Sequence, residues 1–236
     1  MINTILLDLD GTLIDVEMDN FKQKYFSLLG KRLSKYMQSE LYWRALQEAS
    51  SEMMNNLHPS ETNQSVFWTS FIQKTSCEHA TIQSVFDDFC FSDYSLLKDY
   101  VHPLKGVIDC LIKAKENGLE LVLATNPTFP KDIILQRLLW GGGVKGMFSF
   151  ISSYENMHFC KPSHLYYNEV LHNIRKEPRE CLMIGNDINY DLGGREIGIK
   201  TCITDSPLKT IKIVEIVSQA IINKQETACL ESFDKL

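Results

Sequence analysis

The chain has 236 residues, 44% of them hydrophobic and 23% charged, which is ordinary for a globular protein built as one large domain or as a core with an insertion. Its formal net charge of −6 argues against nucleic-acid binding through a basic surface. No apolar stretch approaches the roughly 20 residues of a membrane-spanning helix, and the N-terminus lacks a signal-peptide pattern, so we expect no membrane partner.

The first predicted element is a buried strand over residues 5–7, which runs directly into Asp8-Leu9-Asp10-Gly11-Thr12. Residues i and i+2 of a strand point to the same face, so Asp8 and Asp10 can converge on one reacting centre. Two like charges side by side are costly to bury unless a cation or a shared proton offsets them. The pattern therefore favours a working pair of carboxylates; the alternative is a strand that ends in a solvated Asp-Gly turn.

Residues 17–99 lack a clear strand run and carry apolar residues at helical spacing instead. One helix presents Phe21, Tyr25, Phe26 and Leu29 on one face and is predicted to stop at Gly30. Three more helices are predicted around residues 43–54, 66–72 and 82–91. We expect this block to be an all-helical subdomain inserted after the first strand, with most of its aromatic rings in its own core.

From residue 103 onward, predicted helices and strands alternate. The helices cover residues 104–117, 131–140, 164–174, 190–197 and 209–222, and the strands cover residues 119–124, 148–152, 181–184 and 199–203. This alternation implies an α/β fold with a parallel sheet and right-handed crossovers. The triplet Gly141-Gly142-Gly143 lacks GK[ST] and is interpreted as the end of a helix rather than a phosphate loop. The polar last dozen residues are predicted to fray.

Further polar residues follow two of these later strands. Thr125 and Asn126 come after the strand 119–124, and Asp187 and Asp191 come after the strand 181–184. A lone lysine, Lys161, stands between them in sequence, next to a proline; its alternative interpretation is a solvated surface residue. In open parallel sheets ligands bind at the carboxyl ends of the strands, so all these groups can meet in one crevice.

Seven cysteines are scattered along the chain, and none forms a C-x-x-C pair. The odd count and the spacing argue against a disulfide framework or a zinc site and favour a reducing, cytoplasmic location. Cys181 and Cys202 stand beside apolar residues and are predicted to be small core residues.

Taken in order, D-x-D-x-T, a hydroxyl residue after a strand, a lysine and an acidic pair resemble the four motifs of the haloacid dehalogenase (HAD) superfamily of phosphoryl-transfer enzymes. The resemblance spans roughly residues 3 to 205. It implies a Rossmann-like core formed by residues 1–16 and 100–236, with a helical cap formed by residues 17–99. A cap between the first and second motifs resembles the C1 type of phosphoglycolate phosphatase and β-phosphoglucomutase relatives, which is associated with small substrates.

The resemblance also implies roles for individual residues. Asp8 would be the nucleophile that forms an aspartyl-phosphate, and Asp10 would be the general acid and base. Thr125, the backbone amide of Asn126 and the charge of Lys161 would hold the phosphate oxygens.

A phosphate dianion needs a counter-charge beside two aspartates, and the resemblance implies Mg²⁺ held by Asp8, the backbone carbonyl of Asp10 and Asp187. Asp191 would orient Asp187 or Lys161 from behind the metal ligands. Asn186 departs from the pattern, because members with GDDxxxD carry an acid there. Asn186 would act beside the metal ligands, by its amide oxygen or through water, with one negative charge fewer, so we expect weaker Mg²⁺ affinity rather than inactivity.

Together these features predict a cytoplasmic Mg²⁺-dependent phosphatase that hydrolyses a small phosphorylated metabolite through an aspartyl-phosphate. A phosphomutase of the β-phosphoglucomutase type would share every core residue and stays open as an alternative. A non-catalytic binding protein that retains the fold is a second alternative, and Asn186 is the feature that hints at it. A dehalogenase is disfavoured, since dehalogenases of the superfamily lack the carboxylate of Asp10. The sequence does not identify the substrate or the oligomeric state.

Overall fold

A computed structural model describes residues 1–223; the C-terminal dozen predicted to fray lies outside the described residues. Within residues 1–223 the strands are β1 (Thr4–Leu7), β2 (Ile14–Val16), β3 (Val101–Pro103), β4 (Glu120–Leu123), β5 (Phe150–Ile151), β6 (Cys181–Gly185) and β7 (Lys200–Ile203). Five of them form one sheet in the order β5-β4-β1-β6-β7, and every neighbouring pair is parallel. The predicted α/β fold with a Rossmann-like parallel sheet is confirmed.

The central strand β1 is buried on both faces, as expected for a parallel sheet covered by helices. Its alternate side chains enter two different apolar clusters. Leu6 packs with Val122 and Met183, its neighbours in register on β4 and β6. Ile5 and Leu7 point to the other face and join the larger cluster. A central strand of this sheet needs apolar residues on both faces, which explains the unbroken apolar run of β1.

The helices that connect these strands are α5 (Val107–Glu116), α6 (Lys131–Trp140), α7 (His164–Ile174), α8 (Ile188–Asp191) and α9 (Pro207–Ile222). A 3-10 helix over Leu192–Ile197 continues α8. Side-chain caps mark three of the starts: the Ser163 hydroxyl accepts the Leu165 N–H before α7, Asp187 Oδ1 accepts the Asn189 N–H before α8, and the Ser206 hydroxyl accepts the Lys209 N–H before α9. The predicted helices lie within a few residues of these bounds.

Between β2 and β3 lies a helical segment made of α1 (Met18–Leu33), α2 (Ser39–Met54), α3 (Asn63–Thr75), α4 (His79–Phe91) and a 3-10 helix over Asp93–Tyr100. The prediction that the first helix stops at Gly30 was wrong, because α1 continues to Leu33. A Cβ at Gly30 would lie 3.3 Å from the Tyr42 ring. This glycine therefore lets α1 approach α2 closely and does not end the helix.

A two-stranded antiparallel ribbon, β2 with β3, stands at the base of the helical segment. It pairs Ile14 with Pro103 and Val16 with Val101, and the Glu17 N–H donates to the Tyr100 carbonyl at 3.0 Å. The chain thus leaves and re-enters the sheet domain at adjacent points. The sequence analysis did not predict this ribbon. The division into a core and a helical cap over residues 17–99 stays a prediction, and the position of the ribbon supports it.

The sequence also predicted that Cys181 and Cys202 are core residues and that the chain has no membrane-spanning helix. Cys181 and Cys202 are both buried, in β6 and β7. In the part of the chain that the structure covers, each helix is too short or too polar to cross a bilayer. The cytoplasmic location stays a prediction.

Candidate active site

Polar residues at the carboxyl ends of β1, β4 and β6 surround one cavity of about 510 Å³, which we call the acidic cavity. Every residue singled out in the sequence lines it: Asp8, Asp10, Thr125, Asn126, Lys161, Asn186, Asp187 and Asp191. The topology explains this convergence, because parallel strands end at the same edge of the sheet.

Lys161 lies between two carboxylates at the base of the acidic cavity. Its Nζ is 2.8 Å from Asp8 Oδ1 and 2.6 Å from Asp191 Oδ1. Lys161 is only 2% exposed, and Asp191 is 1% exposed. The alternative interpretation of Lys161 as a solvated surface lysine was therefore wrong.

The protonation states of this cluster follow from burial and charge. Burial raises the pKa of Asp8 to about 6, against the opposing effect of Lys161 and with a further increase from Asp191. Burial alone would lower the pKa of Lys161, but Asp8 and Asp191 outweigh it and hold that pKa well above its usual value. When both acids are ionised, one ammonium faces two carboxylates, and the remaining negative charge favours a bound cation.

Two glycines make the contact between Lys161 and Asp191 possible. A Cβ at Gly185 would lie 2.1 Å from Asp191 Oδ2, and a Cβ at Gly193 would lie 1.8 Å from the Pro162 carbonyl oxygen. No larger residue fits without displacing these loops. The missing side chains therefore allow Asp191, at the end of α8, to approach the end of β6, and the loop of Lys161 to approach the 3-10 helix that follows α8.

The loop after β4 is tied to the loop of Lys161. The Thr125 carbonyl accepts hydrogen bonds from the Ser152 hydroxyl at 2.6 Å and from the Tyr166 hydroxyl at 2.9 Å. The Asn126 side-chain oxygen accepts the backbone N–H of Lys161 at 3.2 Å. The Asn126 side chain thus orients Lys161. The predicted phosphate contact of Asn126 involves its backbone amide and not this side chain.

Sequence reasoning missed Arg137 of α6, which lines the acidic cavity and forms an ion pair with Asp10. Its Nη1 donates to Asp10 Oδ2 at 2.6 Å, and the arginine is 3% exposed. Among the described residues, Asp10 Oδ1 is buried and has no hydrogen-bond partner. Arg137 therefore fixes one oxygen of Asp10 and leaves the other for a ligand. A signal existed: Arg137 shares the buried face of α6 with Ile133, Ile134 and Leu138.

The departure from the acidic motif, Asn186, connects two loops. Its side-chain oxygen accepts the Thr12 hydroxyl at 3.3 Å. Its amide also covers Gly11, where a Cβ would lie 2.2 Å from Asn186 Nδ2 and where φ is +79°. The adjacent Asp187 caps α8, since Asp187 Oδ1 accepts the Asn189 N–H at 2.7 Å. Asn186 thus holds the loop of Asp8 and Asp10 against the end of β6.

The acidic cavity contains oxygen atoms of the kind that bind Mg²⁺. Within residues 1–223, no three His, Cys, Asp or Glu side chains are placed to hold a metal by themselves. Mg²⁺ is commonly bound through one or two carboxylates while waters and substrate phosphate oxygens complete its shell. Asp8 and Asp187 line one cavity, and Asp10, whose backbone carbonyl is the predicted third ligand, lines it as well. These residues fit a magnesium ion shared with a phosphate, not one enclosed by protein ligands alone.

Residues 2–197 match the family model of the haloacid dehalogenase-like hydrolases. The chain belongs to this family. The predicted resemblance is therefore confirmed over most of the chain.

Individual relatives of this HAD-like hydrolase are distant. The bifunctional riboflavin kinase/FMN phosphatase of Arabidopsis thaliana is 22% identical over 204 residues, which are 86% of this chain and 48% of that protein, so the chain spans about half its length. The phosphoglycolate phosphatase of Agrobacterium fabrum is 21% identical, covering 98% of this chain and 92% of that one. The HAD hydrolase YfnB of Bacillus subtilis, solved with magnesium, is 18% identical with a TM-score of 0.54, covering 90% and 98% of the two chains.

A second cavity of this HAD-like hydrolase, of about 770 Å³, adjoins the first. We call it the aromatic chamber because these rings line it: Tyr25, Phe26, Trp43, Phe67, Trp68, Phe86, Phe129, Tyr154 and Tyr190. Six residues line both cavities: Tyr25, Phe26, Thr128, Phe129, Lys161 and Tyr190. The helical segment therefore places several of its rings around a space that adjoins the acidic cavity, and not only in its own core.

Proposed function

We propose that this HAD-like hydrolase is a Mg²⁺-dependent phosphatase that hydrolyses a small phosphorylated metabolite through an aspartyl-phosphate on Asp8. The observation that carries the proposal is the placement of Lys161 Nζ between Asp8 and Asp191 at the base of the acidic cavity. A buried ammonium there offers a fixed positive charge to an incoming phosphate. The two curated relatives, which are named as phosphatases, support the same reaction class.

In the first half of the reaction, an ionised oxygen of Asp8 attacks phosphorus. An O–P bond forms to Asp8 while the P–O bond to the organic part breaks, and the electron pair stays with the departing oxygen. Asp10 gives that oxygen a proton. Since Arg137 holds Asp10 Oδ2, Oδ1 is the atom available for this transfer.

In the second half, Asp10 takes a proton from water as the water oxygen attacks phosphorus. The bond between phosphorus and Asp8 breaks, which restores the Asp8 carboxylate and releases inorganic phosphate. Thr125, the backbone amide of Asn126 and Lys161 hold the phosphate oxygens through both halves. When bound, Mg²⁺ would be held by Asp8, the Asp10 carbonyl and Asp187, and it would neutralise charge between phosphate and carboxylates.

The test is phosphate release from p-nitrophenyl phosphate, measured with Mg²⁺ and with excess EDTA. We expect release with Mg²⁺ only, and a loss of about 10³-fold or more in Asp8→Asn, because the nucleophile is gone. The matched control is Asp109→Asn, which removes an exposed aspartate of α5 outside the acidic cavity. Equal turnover by Asp8→Asn and wild type would rule out Asp8 as the nucleophile. A strict requirement for a sugar bisphosphate would identify a phosphomutase instead.

A further inference from the structure

The aromatic chamber is larger than the acidic cavity and adjoins it, since six residues line both. Four of its rings, Phe129, Tyr25, Phe26 and Trp43, contact one another in a row that begins at the boundary shared with the acidic cavity. The centroids of Tyr25 and Phe129 are 6.0 Å apart in edge-to-face geometry, and those of Phe26 and Trp43 are 4.8 Å apart. A molecule whose phosphate lies at Lys161 would therefore extend its organic part past these rings.

Charge in the aromatic chamber restricts what can enter it. Of the described residues that line it, Asp87 and Lys161 carry the charges. Lys161 contacts Asp8 and Asp191 and is assigned to the phosphate of the substrate, so it does not serve a second anionic group in the chamber. Asp87 would repel such a group. A substrate with a carboxylate or a second phosphate in the chamber would be buried without a counter-charge, which is costly.

One wall of the aromatic chamber is polar without being charged. Gln47, Ser50, Ser51 and Asn55 line it from α2 and the residue that follows that helix. Amide and hydroxyl groups of this kind can hydrogen-bond to ring heteroatoms or hydroxyls. The aromatic residues of the chamber offer ring faces and edges, which pair best with other flat rings.

We propose that the substrate is a phosphomonoester whose organic part is a flat, uncharged ring system bearing hydrogen-bonding atoms. The ring system occupies the aromatic chamber while the phosphate occupies the acidic cavity. This inference rests on the proposed function, and it narrows the substrate class beyond a small phosphorylated metabolite. It also excludes small anionic esters such as 2-phosphoglycolate as good substrates.

The experiment compares esters that share an alkyl leaving oxygen, so that leaving-group chemistry does not decide the result. The probes are 2-(1-naphthyl)ethyl phosphate, ethyl phosphate and 2-phosphoglycolate, each assayed for phosphate release with Mg²⁺. We expect kcat/KM for the naphthyl ester to exceed that for ethyl phosphate by about tenfold or more, because ring burial and stacking add to binding. 2-Phosphoglycolate should react no faster than ethyl phosphate.

Two variants and one control locate the effect in the aromatic chamber. Trp43→Ala should lower the preference for naphthyl over ethyl ester by about fivefold, since a stacking surface is lost. Met54→Lys supplies a cation to the chamber and should raise turnover of 2-phosphoglycolate relative to ethyl phosphate. Tyr36→Ala removes an exposed ring of the helical segment outside both cavities and should leave activity and preference unchanged.

The outcomes separate this inference from the proposed function. Equal kcat/KM for naphthyl and ethyl esters would overturn the inference and leave the phosphatase standing. If no ester is hydrolysed, calorimetric titration of the wild-type protein with the same esters decides. Tighter binding of the naphthyl ester, by about tenfold, would then support the chamber as a ring site without phosphatase activity. Equal or absent binding would overturn the inference as well.

Discussion

The acidic cavity and the aromatic chamber are neighbours with opposite physical character. In the acidic cavity, buried charges are held in short ion pairs: Lys161 with Asp8 and Asp191, and Arg137 with Asp10. In the aromatic chamber, rings pack edge to face and most of the polar groups are neutral. Buried charges cost stability unless each one is paired, whereas buried rings contribute stability without fixed partners. Substitutions of the charged residues in the acidic cavity should therefore be tolerated poorly. The residues of the aromatic chamber can differ from one substrate class to another.

The largest effect should come from removing the ammonium of the acidic cavity. Lys161→Met leaves Asp8 and Asp191 buried without a counter-charge, and breaking such a pair costs about 3–5 kcal/mol. We expect that loss in the free energy of unfolding, measured by urea denaturation in metal-free buffer at pH 7. Lys145→Met, at an exposed lysine, is the control and should change little. A loss below about 1 kcal/mol for Lys161→Met would mean that water reaches these carboxylates and that the two cavities do not differ as described.

A second test asks whether ionised Asp8 destabilises the metal-free protein. Its pKa is raised from 3.8 to about 6, so the folded state resists ionisation and stability falls as pH rises from about 4 to about 6. Asp8→Asn cannot ionise, and its stability advantage over wild type should grow over this window to about 3 kcal/mol at most and then level off. Thermal unfolding in EDTA from pH 4 to pH 8 measures this difference. A flat difference across that range would show that burial does not perturb Asp8.

Arg137 provides a third test, because it acts through Asp10 and not on the substrate. Arg137→Ala should lower kcat by about 10–100-fold while KM stays within about threefold, since a misplaced acid transfers protons poorly. Added guanidinium should restore part of kcat, and Arg137→Lys should retain more activity than Arg137→Ala. Arg179→Ala, at an exposed arginine, is the control. A change in KM alone would place Arg137 in substrate binding instead.

The acidic cavity was predictable from sequence, and the aromatic chamber was not. Asp8 and Asp10 are two residues apart in the loop directly after β1, and most of the other site residues follow apolar runs that end at the same sheet edge. These features are short-range patterns that can be recognised in the sequence. Arg137 meets Asp10 across 127 positions, so no local pattern specifies the pair.

The chamber depends on how several helices orient their rings, and helical spacing alone cannot distinguish a ring in the core from a ring on a cavity wall. Phe71 and Trp43 illustrate the difference: both lie on helices, yet Phe71 is fully buried in the core while Trp43 is 40% exposed and lines the chamber. The ribbon of β2 and β3 was missed for another reason. Three-residue strands are too short to show an alternating pattern.

The smallest expected effect concerns Asn186, where the acidic cavity departs from its family pattern. Asn186→Asp adds a carboxylate near Asp187 at nearly the same size, so the contact with the Thr12 hydroxyl can persist. We expect Mg²⁺ affinity, measured by calorimetry, to rise by about 3–10-fold, because one more negative charge faces the ion. Asn189→Asp adds the same charge on the exposed side of α8 and should change affinity less. Equal gains from both variants would mean that the general field of the protein, and not a ligand position, sets the affinity.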